Sequence, residues 1–147
     1  MKILKIRDVK TPNRGTSQSA GIDFFIPNDQ KSITIKPGES ALIPTGVKVN
    51  IPEGYALIAF NKSGVAVKKK LLVGACVIDA DYQGEMNIDV KNVGIEEVIL
   101  EPGEKIIQFL CIPINYVDIE EVLTLDELYS GEVTSRGTGG FGSTGTK

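Results

Sequence analysis

Apolar and polar residues alternate along most of this chain with the period of two that a half-buried β-strand requires. Met1-Lys-Ile-Leu-Lys-Ile-Arg7 interleaves charge with apolar side chains and predicts an opening strand, and Ala20-Gly21-Ile22-Asp23 opens a second. Ile33, Ile35 and Leu42 alternate with polar neighbours on either side of the Pro37-Gly38 turn. Val47, Val49 and Ile51 keep the same period up to the turn at Pro52-Glu53-Gly54, and Tyr55 to Phe60 follows as a short apolar strand. Met86, Ile88 and Val90 alternate again, Glu97 to Leu100 leads into Pro102-Gly103, and Ile106 to Ile112 is apolar except for Gln108. Short strands punctuated by Pro/Gly turns predict an all-β sandwich, jelly roll or barrel. Helix is scarce: one or two turns after Ser63, and a capping-box match at Thr124-Leu-Asp-Glu127.

Composition narrows the chemistry. The chain has 147 residues, no histidine, and 16 Lys+Arg against 19 Asp+Glu, a net charge of −3. Without histidine there is no Ser-His-Asp or Cys-His nucleophile, no His-ligated zinc and no HExxH protease. The negative balance offers no basic surface for duplex nucleic acid. Cys76 and Cys111 belong to no CxxC pair and predict free thiols in apolar strands. The charged N-terminus is no secretory signal, and no apolar run approaches the roughly 20 residues of a membrane helix. These features predict a soluble, cytoplasmic or otherwise intracellular protein with neither nucleic-acid nor membrane partners.

Three segments hold candidate chemistry. Val77-Ile78-Asp79-Ala80-Asp81-Tyr82-Gln83-Gly84-Glu85 follows an apolar strand. If the extension continues, Asp79 and Asp81 share a side and suggest divalent-metal binding or a water-activating base; a polar hairpin turn with solvated acids is the plainer alternative. Phe60-Asn61-Lys62-Ser63-Gly64 joins a cation, a hydroxyl and free backbone amides at a strand end, which suits a phosphate or is simply a strand-to-turn junction. Gln108, among apolar neighbours, must satisfy its amide by a ligand or a structural bond. Lys68-Lys69-Lys70 has the character of a solvated face. The C-terminus differs in kind: residues 118 to 132 carry acids and no cation, then Arg136 to Lys147 carries glycines, Arg136 and Phe141 and no acid. Such a tail cannot bury enough apolar surface to order itself alone. Its amides could nonetheless wrap an anion, with Arg136 for charge and Phe141 for stacking.

In this order the segments resemble the trimeric deoxyuridine triphosphatases (dUTPases). The five motifs stand as Ala20-Gly21-Ile22-Asp23, Lys62-Ser63-Gly64-Val65-Ala66, Val77 to Gly84, Pro102-Gly103-Glu104-Lys105-Ile106-Ile107-Gln108, and Arg136 to Gly145. The resemblance implies a jelly-roll-like distorted β-barrel over residues 1–130 and a flexible Gly-rich arm over 131–147. It implies a homotrimer whose arms close over neighbouring sites. The reaction implied is dUTP plus water to dUMP plus pyrophosphate, with Mg²⁺ on the triphosphate. Asp79 matches the water-activating carboxylate, and Tyr82 the ring that leaves no room for a 2′-hydroxyl. Backbone groups from Cys76 through Val77 to Ile78 match the uracil-pairing hairpin. Lys62 lies in the phosphate-binding motif, and Ser63, Gly64 and Gln108 match its phosphate contacts. Asp23 matches an acid acting on the metal's water shell. Arg136 would hold the terminal phosphate, Phe141 would cover the base, and the amides near Gly142 and Ser143 would wrap the phosphates.

The chain departs from the family at three places. Lys62 stands where Arg is usual, which keeps the charge and loses the bidentate fork. Cys76 replaces a common Gly in the hairpin, where a Cβ and sulfur would either narrow the pyrimidine pocket or change the backbone conformation. Ile107 replaces a more usual Ala, a packing change. A related dCTP deaminase would need a Glu in the strand around Gln108, and Gln108-Phe109-Leu110-Cys111 has no acid. A regulatory nucleotide-binding protein on the same scaffold is the other alternative, against which the presence of Asp79 and Arg136 argues.

Overall fold

The alternating segments form short strands in a computed structural model that describes residues 1–140 and 143. In chain order the described elements are β1 (Lys2–Lys5), β2 (Ile22–Phe25), β3 (Ile33–Ile35), β4 (Ser40–Pro44), β5 (Val47–Asn50), β6 (Tyr55–Asn61), α1 (Ser63–Lys69), β7 (Leu71–Val73), β8 (Val77–Ile78), β9 (Asn87–Asn92), β10 (Val98–Leu100), β11 (Lys105–Pro113) and α2 (Leu125–Tyr129). Every strand pair is antiparallel: β1 with β5, β10 with β3, the row β2-β11-β6-β8, and the row β4-β9-β7. The chain divides into two compact units, Met1–Asn115 and Tyr116–Lys147.

The inward positions of these strands meet in one core, in which Phe24, Ile35, Ile43, Leu57, Ile88, Leu100 and Phe109 are all but inaccessible. Phe24 and Phe109 meet edge to face with ring centroids 4.9 Å apart, the geometry that the ring quadrupoles favour. The all-β, jelly-roll-like architecture expected from the alternation is what the chain adopts. Ile107 is wholly buried, so its replacement of a smaller residue is core packing.

One irregularity matters for the site. Between Lys105 and Ile107 the register of β11 against β2 slips: Gln108 faces Asp23 and Ile107 faces Phe24, but Lys105 faces Phe25. Ile106 is therefore the extra residue of a β-bulge. The bulge lets the neighbours Ile106 and Ile107 both point into the core. It also places Lys105 on the same face as Asp23 and Gln108, which strict alternation would not allow.

Two local features depart from expectation. β7 follows directly on Lys68-Lys69-Lys70, where alternation gave no strand signal; α1 ends there with Lys70 in the left-handed region at φ 55°. β8 stops at Ile78, and Asp79 to Asp81 form a turn closed by a hydrogen bond from the Tyr82 N–H to the Asp79 carbonyl at 3.2 Å. The extension that would have put Asp79 and Asp81 on one face does not continue.

In the second unit α2 starts at Thr124, as the capping-box match suggested, with the reciprocal bond displaced by one residue. The Glu127 N–H donates to Thr124 Oγ1 at 3.2 Å, and Glu127 Oε2 accepts from the Leu123 N–H at 3.0 Å. No helix among the described residues is long and apolar enough to cross a membrane.

Candidate active site

The third motif builds one wall of a cavity of about 220 Å³. Alternation in β9 buries Ile88 and Val90 and turns Asn87 and Asp89 outward, where Asp89 faces Leu42 across the β4 pairing. Leu42, Asn87 and Asp89 form the floor, while Val77, Ile78, Asp79 and Tyr82 arch over it.

The Tyr82 ring is fixed at both ends. Its Oη donates to the Glu85 carbonyl at 3.0 Å, and its ring lies over Gly84 so closely that a Cβ there would overlap it. The glycine two positions after the tyrosine is thus required by packing rather than by backbone angle. Asp79 is exposed at the mouth of the cavity, and among the described residues its carboxylate has no hydrogen-bond or salt-bridge partner. Asp81, on the same turn, does not line the cavity.

β8 is an edge strand: it pairs with β6 on one side, Ile78 to Leu57 and Val77 to Ile58, and among the described residues has no strand on the other. The Cys76 carbonyl accepts the Ala59 N–H at 2.8 Å, which turns residue 76 toward β6. By alternation, the N–H and C=O of Val77 then face the free edge, one donor beside one acceptor. The Cys76 side chain packs on the core, and Ala75 and Val77, not Cys76, line the cavity. The expected narrowing by a Cβ and sulfur does not occur, because that side chain points the other way. Cys76 and Cys111 are both free and half-buried; Cys111 lies within β11, and Cys76 just before β8 rather than within a strand.

Motifs one, two and four assemble elsewhere on the barrel. Asp23, 3% exposed, accepts hydrogen bonds at both carboxylate oxygens, from Lys62 Nζ at Oδ1 and from Lys105 Nζ at Oδ2, the latter at 2.8 Å. Burial alone would raise the pKa of this carboxyl; hydrogen bonds from Lys105 and Lys62 and the charges of the two ammonium groups prevail and lower it. A lysine in place of the usual arginine takes one oxygen and leaves the other for Lys105. Gln108 Nε2 donates to the Asn61 carbonyl at 3.0 Å, and a Cβ on Gly21 would overlap the Gln108 carboxamide. Gly21 is therefore the counterpart of Gln108 across the strands, which explains why the first motif needs a glycine. Ser63 and Gly64 begin α1 next to Lys62, with free space around Gly64.

No hydrogen bond or salt bridge among the described residues joins Asp79 or Tyr82 to Asp23, Lys62 or Gln108. The chain carries a nucleoside-sized cavity with a free carboxylate, and separately a cationic cluster with an excess of one positive charge. No group of three or more acids among the described residues is placed to hold a metal.

In the second unit Arg136 Nε donates to the Gly139 carbonyl at 2.9 Å, and the Ser143 N–H to the Gly140 carbonyl at 3.0 Å. Phe141 and Gly142 lie outside the described residues. Periodicity and motif order did not single out Lys105, Asn87 or Asp89. The signal for Lys105 was the Ile-Ile doublet that marks the bulge; for Asp89 it was an acid at an outward position of a strand beside the third motif.

The dUTPase family model matches residues 7–145. The chain is 43% identical over 135 residues to a deoxyuridine 5′-triphosphate nucleotidohydrolase of Mus musculus, covering 91% of this chain and 77% of that one. Its fold superposes with a TM-score of 0.84 on the Staphylococcus bacteriophage 80alpha dUTPase with dUPNHPP, at 27% identity over 98% of this chain and 97% of that chain. A mutant dUTPase from phage phi11 of S. aureus, described with a structural Mg(II) ion, gives 0.76 at 25% identity over 85% and 97%. The chain belongs to the dUTPase family.

Proposed function

We propose that Asp79 is the water-activating base of this dUTP hydrolase. Its carboxylate takes a proton from water, and the water oxygen bonds to the α-phosphorus as the bond to the bridging oxygen breaks. The electron pair leaves on pyrophosphate, and dUMP remains. The reading rests above all on Asp79 itself, a carboxylate without a partner among the described residues at the mouth of the cavity that Tyr82 walls.

Val77 presents a backbone donor beside a backbone acceptor, the complement of the uracil O4 and N3–H pair. Cytosine offers the reverse pattern there and would leave its amino group facing a donor. Tyr82, pinned over Gly84, would pack on the deoxyribose where a 2′-hydroxyl has no room. Lys62, Ser63, Gly64 and Gln108 would take the phosphates, with the excess positive charge of the Asp23 cluster behind them. Magnesium on the phosphates would neutralise charge on the departing pyrophosphate. Asp23 would reach its water shell through the lone pairs that the lysines leave.

No hydrogen bond or salt bridge among the described residues of one chain joins the two clusters, and a homotrimer would complete the site by bringing one subunit's cavity to another's cationic cluster. The arm, residues 131–147, would close it with Arg136 on the terminal phosphate, Phe141 over the base, and the Gly142 and Ser143 amides on the phosphates.

The test is pyrophosphate release from dUTP, dCTP, dTTP and UTP with Mg²⁺, by the native chain and by Asp79→Asn. Turnover of dUTP alone, lost in Asp79→Asn with assembly intact, is the expected result. No turnover of any nucleotide by folded protein would remove the enzyme reading.

A further inference from the structure

We infer that Asp89 is a positioning residue for base recognition, a clamp that sets the height of the base-reading strand above the cavity floor; this rests on the reading of the cavity just given. β8 is two residues long and held by β6 along one edge alone. A strand so short has little register of its own, since two paired positions specify alignment weakly. What stabilises its entry is Asp89, on a different sheet. The Gly74 N–H donates to the Asp89 carbonyl at 2.9 Å, and the Ala75 N–H donates to Asp89 Oδ2 at 2.7 Å. Both successive amides before the reading segment thus end on one residue of β9.

The fit leaves little slack. A Cβ on Gly74 would overlap the Asp89 carboxylate, so glycine at 74 and the acid at 89 occupy one space between them. Asp89 also lines the cavity floor opposite Val77, and it is half-buried there. Val77 lies two residues beyond Ala75, close enough that a shift at the clamp moves its N–H and C=O relative to a bound base. Asp79, on the turn beyond Ile78, is held by its own turn bond to Tyr82 and lies farther along the chain. Loosening the clamp therefore affects how the base is bound and discriminated more than it affects the chemical step.

The experiment compares the native chain with Asp89→Ala, Asp89→Asn, Gly74→Ala and the double variant Gly74→Ala/Asp89→Ala. It measures kcat and KM for dUTP and dCTP, Kd for dUMP by calorimetry, and the thermal midpoint. Asp89→Ala should raise KM for dUTP and Kd for dUMP about tenfold, the scale of one charge-assisted hydrogen bond, and narrow the preference for dUTP over dCTP by a similar factor. Its kcat should stay within about twofold, because the reacting groups are untouched. Asp89→Asn keeps an acceptor oxygen and should recover most of the loss. Gly74→Ala should reproduce the Asp89→Ala behaviour, and the double variant should be no worse than either single one, because removing the carboxylate makes room for the methyl group.

Unchanged KM and selectivity in folded Asp89→Ala would overturn the inference. So would a fall in kcat at constant KM, or an Asn variant as impaired as Ala. A native chain that neither turns over dUTP nor binds dUMP would overturn the underlying functional reading instead.

Discussion

Asp79 and Asp23 belong to the same residue type and to the same barrel, in opposite surroundings. Asp23 is buried with both oxygens on lysine ammonium groups, whereas Asp79 sits exposed on a turn with no described group to neutralise it. The first is committed to holding structure and two cations in place; the second is available to a proton. The contrast shows why carboxylates in sequence are poor guides to role until their neighbours are known. A buried acid with two cationic partners has its charge balanced by them, and an exposed acid without such partners keeps its lone pairs open. The same division runs through the two clusters. The cationic one is assembled from three distant segments by strand pairing, and the cavity comes mostly from one hairpin and the sheet face beneath it.

The sharpest way to test that contrast is to remove one charge from each side. Asp79→Asn should lower turnover of dUTP by about a thousandfold, within the range general-base catalysis supplies, and leave the unfolding midpoint in denaturant where it was. Gly84→Ala comes next: the added methyl group displaces the Tyr82 ring, so KM for dUTP should rise about tenfold and exclusion of UTP should weaken, as parallel dUTP and UTP assays would show. Asp23→Asn should differ from Asp79→Asn by acting on stability. Chemical denaturation should find it about 2 kcal/mol less stable, since two charge-assisted hydrogen bonds lose their anion.

The smallest effect is in pH. The folded-state pKa of Asp23 lies below its ordinary value of 3.8, so the stabilisation it gives is complete above that value and is lost as pH falls through the lowered folded-state value. The stability advantage of the native chain over Asp23→Asn should therefore be flat from about pH 5 to pH 7 and shrink below about pH 4. An advantage that stayed constant into strong acid would mean that the pairing with Lys62 and Lys105 contributes nothing.

Much of this was legible in the chain itself. Period-two alternation marked β3, β5 and β9, and nearly unbroken apolar runs marked β6 and β11. Motif order pointed to the family. What could not be read was phase and distance. Three residues after a lysine run carry too little pattern to announce β7. The end of β8 at Ile78 depends on a turn bond rather than on the polarity of Asp79 and Ala80. The pairing of Gly21 with Gln108 and of Gly74 with Asp89 is set by spacing across strands, where glycine is needed for another residue's side chain and not for its own backbone. Asp89 itself resembles any outward-facing acid on a strand until the hairpin is folded over it.

The bulge at Ile106 also decides what length changes the barrel can accept. β11 pairs with β2 across the bulge, from Lys105 to Phe109, and with β6 beyond it, from Ile107 to Pro113 without interruption. Deleting Ile106 or Ile107 would restore simple alternation and leave Lys105 on the face of Asp23 and Gln108, but would remove one of the two buried isoleucine side chains. An insertion of one residue would add a second unpaired residue to the bulge. Around this strand the gene can lose a residue more readily than it can gain one.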